Sequence, residues 1–244
     1  MSFLARVFHG NTIEEAKVED SVVTTQSGHR ITTADARFAT PTAPSKIVCV
    51  GFNYRDHAQE LGQELPKEPL FFLKPASALL AHRGMIIYPR ETKQLEFEGE
   101  LVVVIGRRCR NASIEDARSV ILGYSILNDV TARDIQNVEK QWVRAKCFDT
   151  FAPYGPVVAT HVDPSDLRLV TRVNGIAKQD SSTRNLAFGV FELVAMASRI
   201  MTLEPGDIIA TGTPAGVGPL QPGDEVSIEI EGMGALTNRV AAER

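Results

Sequence analysis

The run "LEFEGELVVVI", Leu95 to Ile105, carries carboxylates at Glu96, Glu98 and Glu100 and then turns uniformly apolar. In extended backbone alternate side chains share a face. The three acids therefore point one way and repel, at a cost that grows toward a low-dielectric interior. Either solvent or a cation relieves that repulsion. Residues two apart on a strand are roughly 6.5–7 Å apart, a span that two converging carboxylates close around one ion. Glu96 and Glu100 are about twice as far apart, so the spacing selects Glu98 and Glu100 and leaves Glu96 at the surface. Asp129, where "GYSILN" gives way to a helix-like segment, offers a third oxygen, although alone it also reads as a helix N-cap. Three carboxylates with no matching His or Cys set suit Mg2+, Mn2+ or Ca2+ rather than Zn2+.

A second signal lies in "GFNYRDHAQELG". His57 and Glu60 are three residues apart, so one helical turn puts them on one face. A histidine held by a carboxylate is a general base for activating water, and the same pair on an ordinary surface turn does nothing. Lys74 in "FFLKP" and Lys146 in "RAKCF" adjoin apolar residues; such lysines either snorkel outward or face an anion. The small-residue turn "TGTPAGVG" offers backbone N–H groups and the Thr213 hydroxyl to a ligand's oxygens.

The elements that must position these groups are mostly strands. The runs "KIVCVGF", "PLFFLKP", "ELVVVIG", "VILGYSILND", "YGPVVAT", "GDIIATG" and "EVSIEIEG" are short and rich in β-branched residues. Helical patterns are fewer. "SIEDARSVI" opens with the capping-box pair Ser113 and Asp116, "VTARDIQNVEKQW" follows a strand, and "LAFGVFELVAMASRIMTL" has helical spacing with Arg199 near its end. This predicts an α+β, mostly β fold without βαβ alternation. A small β-rich N-terminal segment, residues 1–43, is predicted to precede a main domain at 44–244, the join lying in the Pro/Thr/Ser cluster Thr40–Ser45.

At 244 residues, 43% apolar and 23% charged, the chain suits one globular domain with a small appendage. A net charge of −4, no Lys/Arg block and a single Trp argue against nucleic acid. Three cysteines without metal-type spacing indicate a reduced setting. No run approaches 18 apolar residues and no signal-peptide pattern opens the chain, so the cytoplasm is the expected compartment and no membrane is involved.

In this order, "GFNYRDHAQE", "PLFFLKP", "FEGELVVVIGRRCR", "GYSILNDVTARDIQ", "AKCFDTFAPYGP", "VNGIAKQD" and "LEPGDIIATGTPAGVGP" resemble the fumarylacetoacetate hydrolase family, from Lys46 to the C-terminus. The resemblance implies a rolled mixed sheet, a homodimer, a Mg2+-type ion (Mn2+ or Ca2+ being alternatives) and a 2-oxo or enolic dicarboxylate as substrate. It implies that Glu98, Glu100 and Asp129 are metal ligands and that Lys146 stands by metal and substrate. Thr150 corresponds to a polar position near the ion. Arg133, Gln136 and Thr213 look like substrate contacts, as do Lys74 and Gln179. His57 and Glu60 resemble the pair of members that hydrolyse acylpyruvates or decarboxylate oxaloacetate, while Glu96 receives no role.

The His57–Glu60 pair puts metal-dependent cleavage of a C–C bond in an acylpyruvate such as fumarylpyruvate first. The alternative is isomerisation of 2-hydroxyhepta-2,4-diene-1,7-dioate or decarboxylation of an oxo acid. A third reading, a non-catalytic binder of metal and dicarboxylate, is opposed by the complete set of Glu98, Glu100, Asp129 and Lys146.

Overall fold

Strands dominate the computed structural model, which describes residues 2–244, and the α+β, mostly β expectation holds. The largest sheet has the order Arg30–Thr32, Val22–Thr25, Thr12–Glu19, Phe3–His9, Ala152–Ala159, Ile121–Asn128, Gly99–Ile105, Ile208–Ala210, Ile47–Gly51 and Leu70–Lys74. It is mixed, because Ile208–Ala210 runs parallel to Ile47–Gly51 and antiparallel to Gly99–Ile105. The strand Gly99–Ile105 is buried along its whole length. Leu101, Val103 and Ile105 enter one core cluster, and Val102 and Val104 enter another. Burial on both faces explains an apolar run without alternation.

A second sheet has the order Thr131–Ala132, Leu95–Phe97 and Gly218–Leu220. The acidic run therefore spans two sheets: Glu96 lies in the small one, Glu100 in the large one, and Glu98 at the joint between them. A third sheet of five strands, from Ile176–Ser182 through Gly234–Ala242 to Met85–Tyr88, packs alongside.

Among the described residues five α-helices complete the fold: α1 Arg55–Glu60, α2 Ile114–Val120, α3 Arg133–Val138, α4 Val143–Lys146 and α5 Val190–Ile200. The α2 capping box forms as predicted, with Ser113 and Asp116 satisfying each other's orphan donors. In α5 the buried residues Val190, Leu193, Val194 and Ala197 follow the 3.6-residue stripe, and Arg199 occupies the last turn. The helix predicted over "VTARDIQNVEKQW" is corrected: Thr131–Ala132 pairs as a strand with Glu96 and Leu95, and the helix stops at Val138. Ile135 is the one buried residue of α3, so no apolar stripe rewards further turns. Residues 2–43 contribute four strands joined to the large sheet through Phe3–Ala159 and Leu4–Val158 pairing. The large sheet therefore includes strands from both sides of the expected 43/44 boundary. Among the described residues no helix is long and apolar enough to cross a membrane.

Candidate active site

The joint between the sheets fixes two acids by backbone contacts before any side chain acts. Glu98 N–H donates to Asn128 Oδ1 at 3.0 Å, and Asp129 N–H donates to the Glu98 carbonyl at 2.8 Å. Glu100 follows inside the buried strand. One carboxylate oxygen from each of Glu98, Glu100 and Asp129 can be chosen so that all three lie within 4.8 Å of one another, and all three residues are buried.

Three cations crowd this cluster. Lys146, the last residue of α4, donates to Glu98 Oε2 and Asp129 Oδ2 at 2.7 Å each. Lys74 donates to Asp129 Oδ1 and, at 3.1 Å, to the Val130 carbonyl. Arg133 donates to Glu98 Oε1 and Gln136 Oε1, and at 2.7 Å to Glu96 Oε2. Four buried acids facing three cations leave one negative charge uncompensated. It falls on Glu100, whose carboxylate accepts from the Gly212 N–H at 2.9 Å and meets no cationic side chain among the described residues.

The proton affinities follow this imbalance. Burial pushes Glu98 up, but Lys146 and Arg133 outweigh it and hold the carboxyl well below the usual range. Burial, then the charges of Asp129 and Glu98, push Glu100 well above it. Burial works against a charged Lys146, yet Asp129 and Glu98 hold its ammonium above the ordinary lysine value. A cluster of three hard oxygen ligands that lacks one unit of positive charge fits a divalent cation of the Mg2+ or Mn2+ kind. With such an ion the cluster would turn from net negative to net positive.

The three acids open into a cavity of about 550 Å3 that is also lined by His57, Arg133, Gln136, Lys146 and Thr213. His57 lies on α1 with Nδ1 3.0 Å from Glu60 Oε2. Glu60 is itself held by the Gly216 N–H, 3.1 Å from its Oε1. The "TGTPAGVG" turn thus orients the pair from the far side. Thr213 donates to the Gly99 carbonyl at 3.0 Å and accepts from Gln179 Nε2 at 2.8 Å.

Three expectations change. Glu96 is not surface: it is 6% exposed and paired with Arg133, because the strand breaks at Glu98 and the small sheet covers it. Lys74 and Gln179 are fully enclosed and do not line the cavity. Lys74 backs Asp129 from beneath, and Gln179 braces the Thr213 turn through Pro214 O at 2.9 Å and Gly99 N at 3.1 Å. The Thr150 hydroxyl accepts from the Ile87 N–H at 2.9 Å.

An aromatic wall went unread in the sequence. Lys146 Nζ lies 5.3 Å from the Phe72 ring centre, Phe72 meets Trp142 edge-on at 5.2 Å, and Phe52 follows at 6.4 Å. Gly51 permits this, since a Cβ there would sit 3.2 Å from the Trp142 ring. The lone Trp in the polar stretch "EKQWVR" was the available signal. Asn128 was also missed; its Oδ1 holds Glu98 while its buried Nδ2 has no partner.

A sheet junction thus gathers these acids, cations and a histidine into one cavity, the layout of a small-molecule enzyme. Residues 46–241 match the family model for the fumarylacetoacetate (FAA) hydrolase C-terminal domain, and the chain belongs to that family. A 5-carboxymethyl-2-hydroxymuconate delta-isomerase structure from Mycobacterium smegmatis superposes with a TM-score of 0.93 and is 42% identical, covering 99% of both chains. The mitochondrial oxaloacetate tautomerase FAHD2A of Bos taurus is 43% identical over 85% of this chain and 70% of its own. Maleylpyruvate hydrolase from Sphingobium sp. SYK-6, solved with manganese(II) and pyruvate, has a TM-score of 0.85 and 30% identity over 99% of this chain and all of its own.

Proposed function

We propose that this protein acts on 2-oxo dicarboxylic acids and their enols, moving a proton between carbon and oxygen at a divalent-cation site of Glu98, Glu100 and Asp129. The observation that carries the reading is the placement of the three acids in one cavity with His57, whose Nδ1 is held by Glu60. An ion held there, Mg2+ or Mn2+, supplies Lewis-acid polarisation of a 2-oxo carboxylate's oxygens. Lys146, anchored by Glu98 and Asp129, presents a fixed cation to negative charge developing on the substrate oxygen. His57, with Nδ1 on Glu60, presents Nε2 to the cavity to take and return the proton. Phe72 and Trp142 keep water from the polar end.

Proton transfer comes ahead of C–C hydrolysis because it asks of the chain only one acid–base group beside the polarised oxygens, which His57 supplies. The 42–43% similarities to proteins named isomerase and tautomerase point the same way. Hydrolysis of an acylpyruvate is the second reading, favoured by the likeness to maleylpyruvate hydrolase; His57 would then deprotonate water. The homodimer that the resemblance implies belongs to the same proposal, and sedimentation equilibrium tests it.

The deciding experiment follows enol absorbance with oxaloacetate, the heptadiene diacid and fumarylpyruvate, with Mn2+ and with a chelator, and identifies products. Tautomer exchange or isomerisation without chain cleavage is expected. Release of pyruvate from fumarylpyruvate moves hydrolysis to first place. Full activity in the presence of chelator sinks the metal-dependent mechanism.

A further inference from the structure

Glu96 has no part in the cation reading, yet it is 6% exposed and central in the small sheet, its backbone paired with Thr131 and Pro219. A carboxylate so buried costs several kcal/mol unless it is matched. Its match is specific: Gln94 Nε2 donates to Oε1 at 2.6 Å and Arg133 Nε donates to Oε2 at 2.7 Å. Gln94 also accepts the Arg133 backbone N–H on its carbonyl at 2.8 Å, so Gln94 and Glu96 together decide where Arg133 sits. The guanidinium then bridges two acids, Nε to Glu96 and Nη2 to Glu98.

We infer that Glu96 is a positioning residue for the cation site: it holds Arg133 between two carboxylates and keeps it from closing on Glu98 as an exclusive ion pair. The inference rests on Glu98, Glu100 and Asp129 being a divalent-cation site. Arginine forms its strongest carboxylate contacts through two parallel N–H···O bonds. Glu98 already gives Oε2 to Lys146 and Oε1 to Arg133. A divalent ion has to draw on one of these oxygens, and a guanidinium shared with Glu96 yields it more readily than one whose charge is balanced by Glu98 alone.

The test is Mn2+ binding to the full, metal-stripped chain by titration calorimetry, with circular dichroism to confirm folding. E96Q is expected to weaken Mn2+ binding about tenfold, within the range of coupling between contacting residues. Removing a negative charge also weakens cation binding directly, so the same substitution is made in an R133M background. There the loss should shrink to about twofold, because the route through Arg133 is gone. Q94A changes no charge but frees Glu96 Oε1; about threefold weaker binding is expected, and this variant decides the matter if E96Q does not fold. Equal losses from E96Q with and without Arg133 overturn the inference, as does unchanged affinity in E96Q or, where that variant cannot be measured, in Q94A. A wild-type chain that binds no Mn2+ sinks the cation-site reading and this inference together, whereas binding indifferent to Glu96 sinks this inference alone.

Discussion

Glu100 is the residue on which the electrostatics of the cavity turn. Its carboxylate is buried beside Asp129 and Glu98 and, among the described residues, pairs with no cationic side chain and accepts only the Gly212 N–H. Without a divalent ion it is a burden on the fold, and in the proposed cation site it would be a ligand. Glu100→Gln should therefore raise the melting temperature of the metal-free protein at neutral pH, by about 2–4 °C for each kcal/mol relieved. The same variant should lose the stabilisation that Mn2+ gives wild type. Thermal melts with and without Mn2+ check both, and a variant still stabilised like wild type removes Glu100 from the site. His57 makes the opposite prediction. His57→Ala should lower turnover by about 10²–10⁴-fold, the usual worth of a general base, while Mn2+ affinity stays unchanged; a parallel loss of metal binding would mean that the effect is structural. Glu98, Glu100 and Asp129 were legible because spacing and hard-oxygen chemistry single them out. Glu96, Lys74 and Thr150 were not, because their partners Arg133, Asp129 and Ile87 lie 37, 55 and 63 residues away in the chain.

At the scale of elements, the site depends on places where regular structure stops. The strand pattern is broken at Glu98, which lets one acidic run serve two sheets, and α3 begins only at Arg133, so Thr131–Ala132 can cover Glu96. Neither break shows in the hydrophobic pattern, since both depend on cross-strand pairing with distant segments. The capping box of α2 and the stripe of α5 did show, because every group they use is local. The turn before Gly218–Leu220 tests the same logic. Gly216 has φ +92, and a Cβ there would lie 2.2 Å from the Lys178 carbonyl oxygen. Its N–H also holds Glu60. Gly216→Ala should cost about 1–3 kcal/mol in urea unfolding, as overpacked positions do. It should also reduce turnover toward that of Glu60→Gln. Wild-type turnover in Gly216→Ala would mean that the turn does not orient the His57–Glu60 pair.

At the scale of the molecule, the N-terminal strands are tied to the rest by more than the sheet. Arg83 Nη1 donates to the Ala34 carbonyl at 2.7 Å, and the Phe38 ring meets His82 edge-on at 6.0 Å. His82 accepts the Thr237 N–H on Nδ1 at 3.1 Å, so the imidazole has to be neutral there. Burial, then the charge of Arg83, lower its pKa from 6.5 to about 4. Glu225 and Arg239 line the same recess. The sign follows from linkage: the unfolded chain takes up this proton near pH 6.5, and the folded chain takes it up only near pH 4. The contribution to stability is therefore complete above pH 6.5 and is lost progressively as the pH falls toward 4. Wild type should lose stability to urea between pH 7.5 and 5 faster than His82→Asn, whose side-chain oxygen accepts the same N–H without titrating. Hydrogen exchange over residues 31–39 should quicken at pH 5 in wild type, after correction for intrinsic rates, and not in the variant. Equal slopes for the two proteins would show that His82 does not report on this joint.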